Sequence, residues 1–354
     1  MKQKKAITIY DIAHELNLSP STVSRALKDH HSIGKETKKA VVKLANMRGY
    51  RPNSIAASLR NKKTNNIGVI ITWMNRPFVS SLISGIETEA NLKGYNVIIT
   101  QSHDIYKNEV VNARALYDSR VTGLIVSLAM KTKQYDHLKQ FIDNNIPVVF
   151  VDRVVEELNS DIVIIDNYAA GYMAAEHLIK QGCKRIAHIG GARNRNVYYD
   201  RERGFRQALK DYSIEIIESF ILHNDVLSSE EGLKCADFLL NSNHPPDGIF
   251  TANDTTAVSV IQYAKRKGIK IPDELAIIGF NNDPISEIIE PALSTITHPA
   301  IEMGIMAAKQ VLKHKDQKDM VQSERIILKT EVLARASSLK IGQSKLQVLD
   351  PGNG

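Results

Sequence analysis

The chain has 354 residues, with 46 Lys and Arg against 39 Asp and Glu, 43% hydrophobic residues and two cysteines. That length accommodates two or three domains with sizeable cores, and two cysteines with no CxxC and no clustered histidine indicate neither a disulfide framework nor a zinc site. No apolar run reaches the ~20 residues that a bilayer-spanning helix needs, and no apolar segment follows the basic residues 1–5, so a reduced, cytoplasmic setting is expected.

The positive charge is confined to one end. Residues 1–63 hold 14 Lys and Arg against 4 Asp and Glu, a net of +10, while the remainder carries a net of −3. This asymmetry points to a polyanion-binding head on a near-neutral body.

The first patterned stretch is TIYDIAHELNLSPSTVSRAL, residues 8–27. Ile9, Ile12, Ala13 and Leu16 recur at helical spacing, and Asn17-Leu18-Ser19 breaks the pattern. Ser19 is placed to cap a second helix, and Pro20 suits its first turn, where a missing N–H costs nothing. With Val23, Ala26 and Leu27 inward, Ser21, Ser24, Arg25 and Lys28 face out. A helix start bearing hydroxyls and an arginine suits a DNA major groove. A third helix is expected from about Lys35 to Arg48, with Val41, Leu44, Ala45 and Met47 inward and Gly49 as its stop. Pro52 then forces an extended entry, Asn53 caps a short helix over 54–60, and the polar run 61–66 reads as a linker.

From Ile67 onward, apolar runs alternate with amphipathic helices. IGVII, YNVIIT, GLIVSL, IPVVFVD, DIVIID, RIAHIGG, ESFILH, DGIFTAND and LAIIGF give nine expected strands, with the helix after RIAHIGG placed at 201–212. Continuous apolar strands separated by helices imply parallel sheets covered on both faces. Nine strands suit two doubly wound lobes better than one sheet, with the ligand site between lobes at the carboxyl ends of the strands. Those ends carry Asp152-Arg153, Asp166-Asn167, Asn253-Asp254 and Asn281-Asn282-Asp283. They can hold a polyhydroxylated ligand or simply cap turns and helices. Trp73 and Phe78 can stack on a sugar face or cover the cleft rim. His188 reads as a core residue. No phosphate-loop, dinucleotide, nucleophile-elbow or metalloprotease motif is present, so neither an enzymatic activity nor a cofactor or metal is expected.

Taken in order, TIYDIAHELNLSPSTVSRAL, GYRPNSIAASL, IGVII, VFVDR, RERGF, IFTANDTTA, IPDELAIIGF and PALSTI resemble the lactose/galactose repressor (LacI/GalR) family of bacterial transcription regulators. The resemblance covers about residues 7–338. It implies an all-α helix-turn-helix head (1–51), a hinge helix and linker (52–66) and a periplasmic-binding-protein-like α/β core (67–340), followed by a loose tail (341–354). The first lobe is expected at 67–164 plus 298–325, and the second at 165–293 plus 326–340.

The implied partners are double-stranded operator DNA, a second copy of the chain and a small effector, a sugar or sugar derivative. Pairing of dimers into tetramers stays open, as does the sign of the effector's action. Thr8, Tyr10, Ser19, Pro20, Ser21, Thr22, Ser24 and Arg25 would face DNA. Asn53, Ala56 and Leu59 would act from the hinge, Leu59 as a minor-groove wedge. Trp73, Phe78, Asp152, Arg153, Arg201, Asn253 and Asn281 would line the effector site, Arg201 gripping ligand oxygens.

Two positions depart from the family. Pro20 offers no side-chain hydrogen bond. Asn281 stands where many members have an aspartate, which favours a ligand with acceptor or anionic groups, such as an acidic sugar. A solute-binding protein is the competing reading; the basic head and the lack of an export segment argue against it.

Overall fold

The computed structural model describes residues 7–50, 64–315 and 323–340. Asn53, Ala56 and Leu59, the hinge and the 341–354 segment lie outside the described residues. The chain divides into two units, Met1–Thr64 and Asn65–Gly354.

In the first unit, α1 (Ile9–Glu15), α2 (Pro20–Leu27) and α3 (Lys35–Arg48) enclose Ile12, Ala13, Val23, Ala26, Val41 and Leu44. Thr8 and Asp11 form a reciprocal capping box at the start of α1. The turn between α1 and α2 passes through Asn17 at φ 51°, a conformation asparagine tolerates better than most residues. Ser19 Oγ accepts the Thr22 N–H at 3.1 Å, and Pro20 occupies the first turn. Gly49, at φ 64°, closes α3 in the left-handed conformation. Met47 is not inward as its neighbours suggest: it is 71% exposed, because α3 turns only Val41, Leu44 and Ala45 to the small core.

The second unit contains two six-stranded sheets. The first lobe is built from β1 (Asn66–Ile71), α4 (Pro77–Leu92), β2 (Asn96–Gln101), α5 (Tyr106–Asp118), β3 (Gly123–Val126), α6 (Asp136–Asp143), β4 (Val148–Val151) and β5 (Asp161–Ile165). The second is built from α7 (Asn167–Lys180), β6 (Ile186–Gly191), α8 (Asn196–Asp211), β7 (Ile221–Asn224), α9 (Ser229–Leu240), β8 (Gly248–Thr251), α10 (Asp254–Arg266), β9 (Ala276–Asn281), α11 (Ile285–Ile288) and β10 (Ser294–Thr297). The chain then returns to the first lobe as α12 (Ala300–His314) and β11 (Arg325–Leu328), and ends in the second as β12 (Val332–Leu333).

The first sheet has the order β11-β5-β4-β3-β1-β2 and is parallel throughout. The second has the order β12-β10-β9-β8-β6-β7, with β12 antiparallel at its edge. The described residues thus hold twelve strands rather than nine, β10, β11 and β12 being the additional ones. The sequence boundaries also shift. The α8 helix starts at Asn196, five residues before the expected 201. Residues 218–220 form a 3-10 turn before β7. All of β11 pairs with β5, so residues 326–328 belong to the first lobe, not the second.

Each lobe uses glycine to bring two helices together. A Cβ on Gly85 of α4 would lie 2.1 Å from the Ile301 carbonyl oxygen of α12, and one on Gly304 would lie 2.1 Å from that of Leu82. Gly171 of α7 and Gly204 of α8 meet the Arg201 and Tyr168 carbonyls in the same way. Only a residue without a Cβ permits such backbone contact.

Candidate functional site

On the head, Tyr10 is 70% exposed, and Thr8, Ser19, Ser21 and Arg25 are also exposed, while Pro20, Thr22 and Ser24 are half-buried. The hydroxyls are already organised: Ser19 Oγ lies 2.8 Å from Ser21 Oγ and 2.8 Å from Thr22 Oγ1. Ser19 Oγ also caps α2, and each hydroxyl still has further capacity for a phosphate or base edge. Arg25 makes no ion pair among the described residues. Arg48 and Glu15, bonded at 2.9 and 3.0 Å, tie α3 to α1 behind this face.

In the second unit, a cavity of about 320 Å³ lies between the lobes. Trp73, Phe78, Asp152, Arg153, Arg201, Asn253 and Asn281 all line it. The two sheets supply matching corners. Asp152 follows β4 at φ 60°, and Asn281 ends β9 at φ 110°, with Asn282 following at φ 54°. Asp and Asn are the residues that enter positive φ at least cost after glycine, which accounts for them at both strand ends.

Arg201 is buried on α8. Its Nε donates to Asn167 Oδ1 at 2.8 Å, Nη1 donates to the Ala252 carbonyl at 3.0 Å, and the guanidinium lies flat on Phe280, 3.5 Å from the ring centre. It forms no salt bridge with Asp152 or Asp254, and Nη2 has no hydrogen-bond partner among the described residues. Burial pushes Arg201 down to about 10, against the pull of Asp152. Burial likewise raises Asp152, opposed by Arg153 and Arg201. Burial also works against the charge on Arg153, yet Tyr198, Asp104 and Asp152 hold that arginine above its ordinary range.

The charges of the cleft come in pairs. Arg153 Nη1 meets Asp104 Oδ1 at 2.6 Å. Lys131 of the first lobe faces Asp225 of the second at 3.9 Å. Arg201 acts on Asp152, and Arg76 on Asp283. Burial still raises Asp283 to about 6 and Asp254 to about 8. The lobes are joined across the cleft by polar bonds from the segment leading into α8. Asn194 and Arg195 donate to the Met130 carbonyl at 2.7 and 3.1 Å, and Asn196 bonds both the Asp152 carbonyl and the Val154 N–H.

Some expected contacts are committed elsewhere. Asn253 caps α10, accepting the Thr256 N–H at 2.9 Å and donating to the Leu227 carbonyl at 3.1 Å, so its amide is spent on structure. One face of Phe78 is covered by the His298 ring, stacked at 4.0 Å. Trp73 stands half-buried, edge-on to His103 at 4.9 Å. The amide of Asn281 is bonded to Asp283, which restores at the next position but one the carboxylate that Asn281 lacks. With its donors turned to Asp283, the Asn281 amide is not free to offer them to a ligand. His188 is a core residue, stacked between Phe205 and Phe250.

Asp104, Tyr198 and His298 also line the cleft and do not stand out in the sequence. Tyr198 precedes Arg201 by three residues on α8, so helical spacing places both on one face. His298 lies in the crossover between β10 and α12, and nothing local marks it.

The architecture is that of a two-lobed ligand-binding core of the periplasmic type, carried on the same chain as a helix-turn-helix unit. Residues 8–53 match the family of bacterial regulatory proteins of the lacI type, and residues 175–338 match the periplasmic binding protein-like domain. The chain is 33% identical to the HTH-type transcriptional regulator DegA of Bacillus subtilis (strain 168), over 94% of this chain and 98% of that protein. It is 31% identical to the ribose operon repressor of Halalkalibacterium halodurans, over 94% and 97%. The lac repressor dimer bound to operator and the anti-inducer ONPF has the same fold, with a TM-score of 0.85 at 21% identity, covering 95% of this chain and all of that one. The chain belongs to the lacI family and is a DNA-binding transcriptional regulator.

Proposed function

We propose that this regulator is a cytoplasmic repressor that binds a pseudo-palindromic operator as a homodimer and answers to a neutral, polyhydroxylated effector of the sugar class held between its lobes. The balance of cleft charges carries the effector reading: a cavity whose four Arg and Lys side chains are matched in number by four carboxylates offers hydrogen bonds without a large net field. A relative repressing a ribose operon and a fold-relative, CelR, seen with cellobiose (TM-score 0.70, 22% identity) support the same class.

The head supplies affinity through phosphate contacts and selection through base contacts from α2. Effector and operator binding are linked reciprocally, so a ligand that weakens operator binding is itself bound less tightly by the DNA complex.

Fluorescence anisotropy on operator fragments, with and without a panel of neutral sugars, tests this. A member of the panel should change operator affinity severalfold. In Arg201→Lys, which loses the planar fork, that response should require roughly tenfold more sugar. A panel with no effect on operator affinity would overturn the effector class.

A further inference from the structure

The His298 side chain is 2% exposed, and its buried Nε2 has no hydrogen-bond partner among the described residues although the residue lines the cleft. Its ring is clamped, stacked on Phe78 at 4.0 Å and edge-on to Phe280 at 5.7 Å. Nδ1 lies 3.2 Å from Asn281 Oδ1.

The tautomer follows from Asn281. Its amide oxygen is the atom that faces Nδ1, which leaves its NH2 to act on the Asp283 carboxylate. An acceptor oxygen requires a proton on Nδ1, which leaves Nε2 with a bare lone pair. Burial, with Arg201 nearby, also keeps the ring neutral.

Nε2 lies 3.9 Å from Asp152 Oδ1, too far for a direct hydrogen bond. Two acceptors thus stand side by side at the cleft wall, the buried and unfilled Nε2 and Asp152 Oδ1. A carboxylate or phosphate brings only lone pairs to that point and is repelled. An amine brings donors, but it also brings a positive charge next to Arg153 and Arg201, whose charges act on Asp152. Two adjacent hydroxyls satisfy both acceptors at no charge cost. An unfilled buried acceptor is unfavourable, so the notch discriminates as well as binds.

We propose that His298 is a specificity-determining residue that reads a ligand hydroxyl through Nε2, beside a second hydroxyl on Asp152, with Asn281 and Asp283 as positioning residues that set its tautomer. This deepens, and rests on, the reading of the cleft as the effector site.

The test uses the full-length protein and matched triads: glucose, glucuronate and glucosamine, and the corresponding galactose set. Calorimetry should show the neutral member of a triad bound at least tenfold tighter than its acidic and amino partners. His298→Phe keeps a ring against Phe78 but removes the acceptor, and should weaken the neutral sugar roughly tenfold. His298→Gln, which returns an acceptor oxygen, should recover most of the loss. Nitrogen-15 NMR of the free protein should show the proton on Nδ1, and Asn281→Leu should spread it over both nitrogens, a readout independent of whether His298→Phe folds.

A proton on Nε2, wild-type affinity in His298→Phe, or preference for the acidic or amino partner overturns this proposal while leaving the effector site in place. If no sugar of either triad binds the wild-type protein, the effector reading fails and this proposal falls with it.

Discussion

Arg25 on α2 is exposed and makes no ion pair among the described residues, whereas Arg153 in the cleft is bonded to Asp104 at 2.6 Å. The two regions hold their cations in opposite ways. In the head, Lys and Arg outnumber acids by 14 to 4 over residues 1–63. Such a surface leaves its field for a polyanion to neutralise, and binding gains from the counterions that DNA releases. In the cleft Arg153 and Lys131 pair directly with Asp104 and Asp225, and the charges of Arg201 and Arg76 act on Asp152 and Asp283. The contrast teaches that an uncancelled excess of one charge announces a polyanionic partner, while charge cancelled locally is what the proposed neutral ligand would require.

The contrast breaks most severely at Arg25. Arg25→Ala should lower affinity for the specific operator roughly a hundredfold and random-sequence affinity far less, measured by anisotropy across a salt series. Equal losses on both DNAs would make Arg25 a phosphate contact, and the head would then differ from the cleft only in charge count.

Uncancelling one cleft charge sharpens the comparison from the other side. Asp104→Asn leaves Arg153 without its carboxylate, so the ratio of neutral to acidic sugar affinity should shift about tenfold toward the acidic partner. An unchanged ratio would mean that pair neutrality does not govern selection.

The smallest effect belongs to the pair between Lys131 and Asp225, whose side chains are 74% and 78% exposed. Exposed pairs contribute little, so Lys131→Ala should alter sugar affinity by no more than about twofold by calorimetry. A larger change would show that the rim pair holds the lobes closed.

Much of this was legible in the residues themselves. Helical spacing in residues 8–48 locates all three head helices, because a small amphipathic helix shows its buried stripe directly. The alternation of apolar strands with helices announces two parallel-sheet lobes, because strands buried on both faces must be apolar throughout. Strand-end carboxamides and carboxylates mark the cleft, since the backbone corners at Asp152 and Asn281 favour those residues whatever the ligand. Local patterning could not say which of them are free. Asn253 spends its amide on a cap, Asn281 is held between His298 and Asp283, and Arg201 rests on Phe280 rather than on an acid. Those pairings join residues far apart in the chain. His298 acquires its role only because a crossover carries it beside Asn281, 17 residues earlier, and Asp152, which belongs to the other lobe. Periodicity reports which face of an element is buried; only the assembled lobes decide which polar atoms of that face are left without a partner.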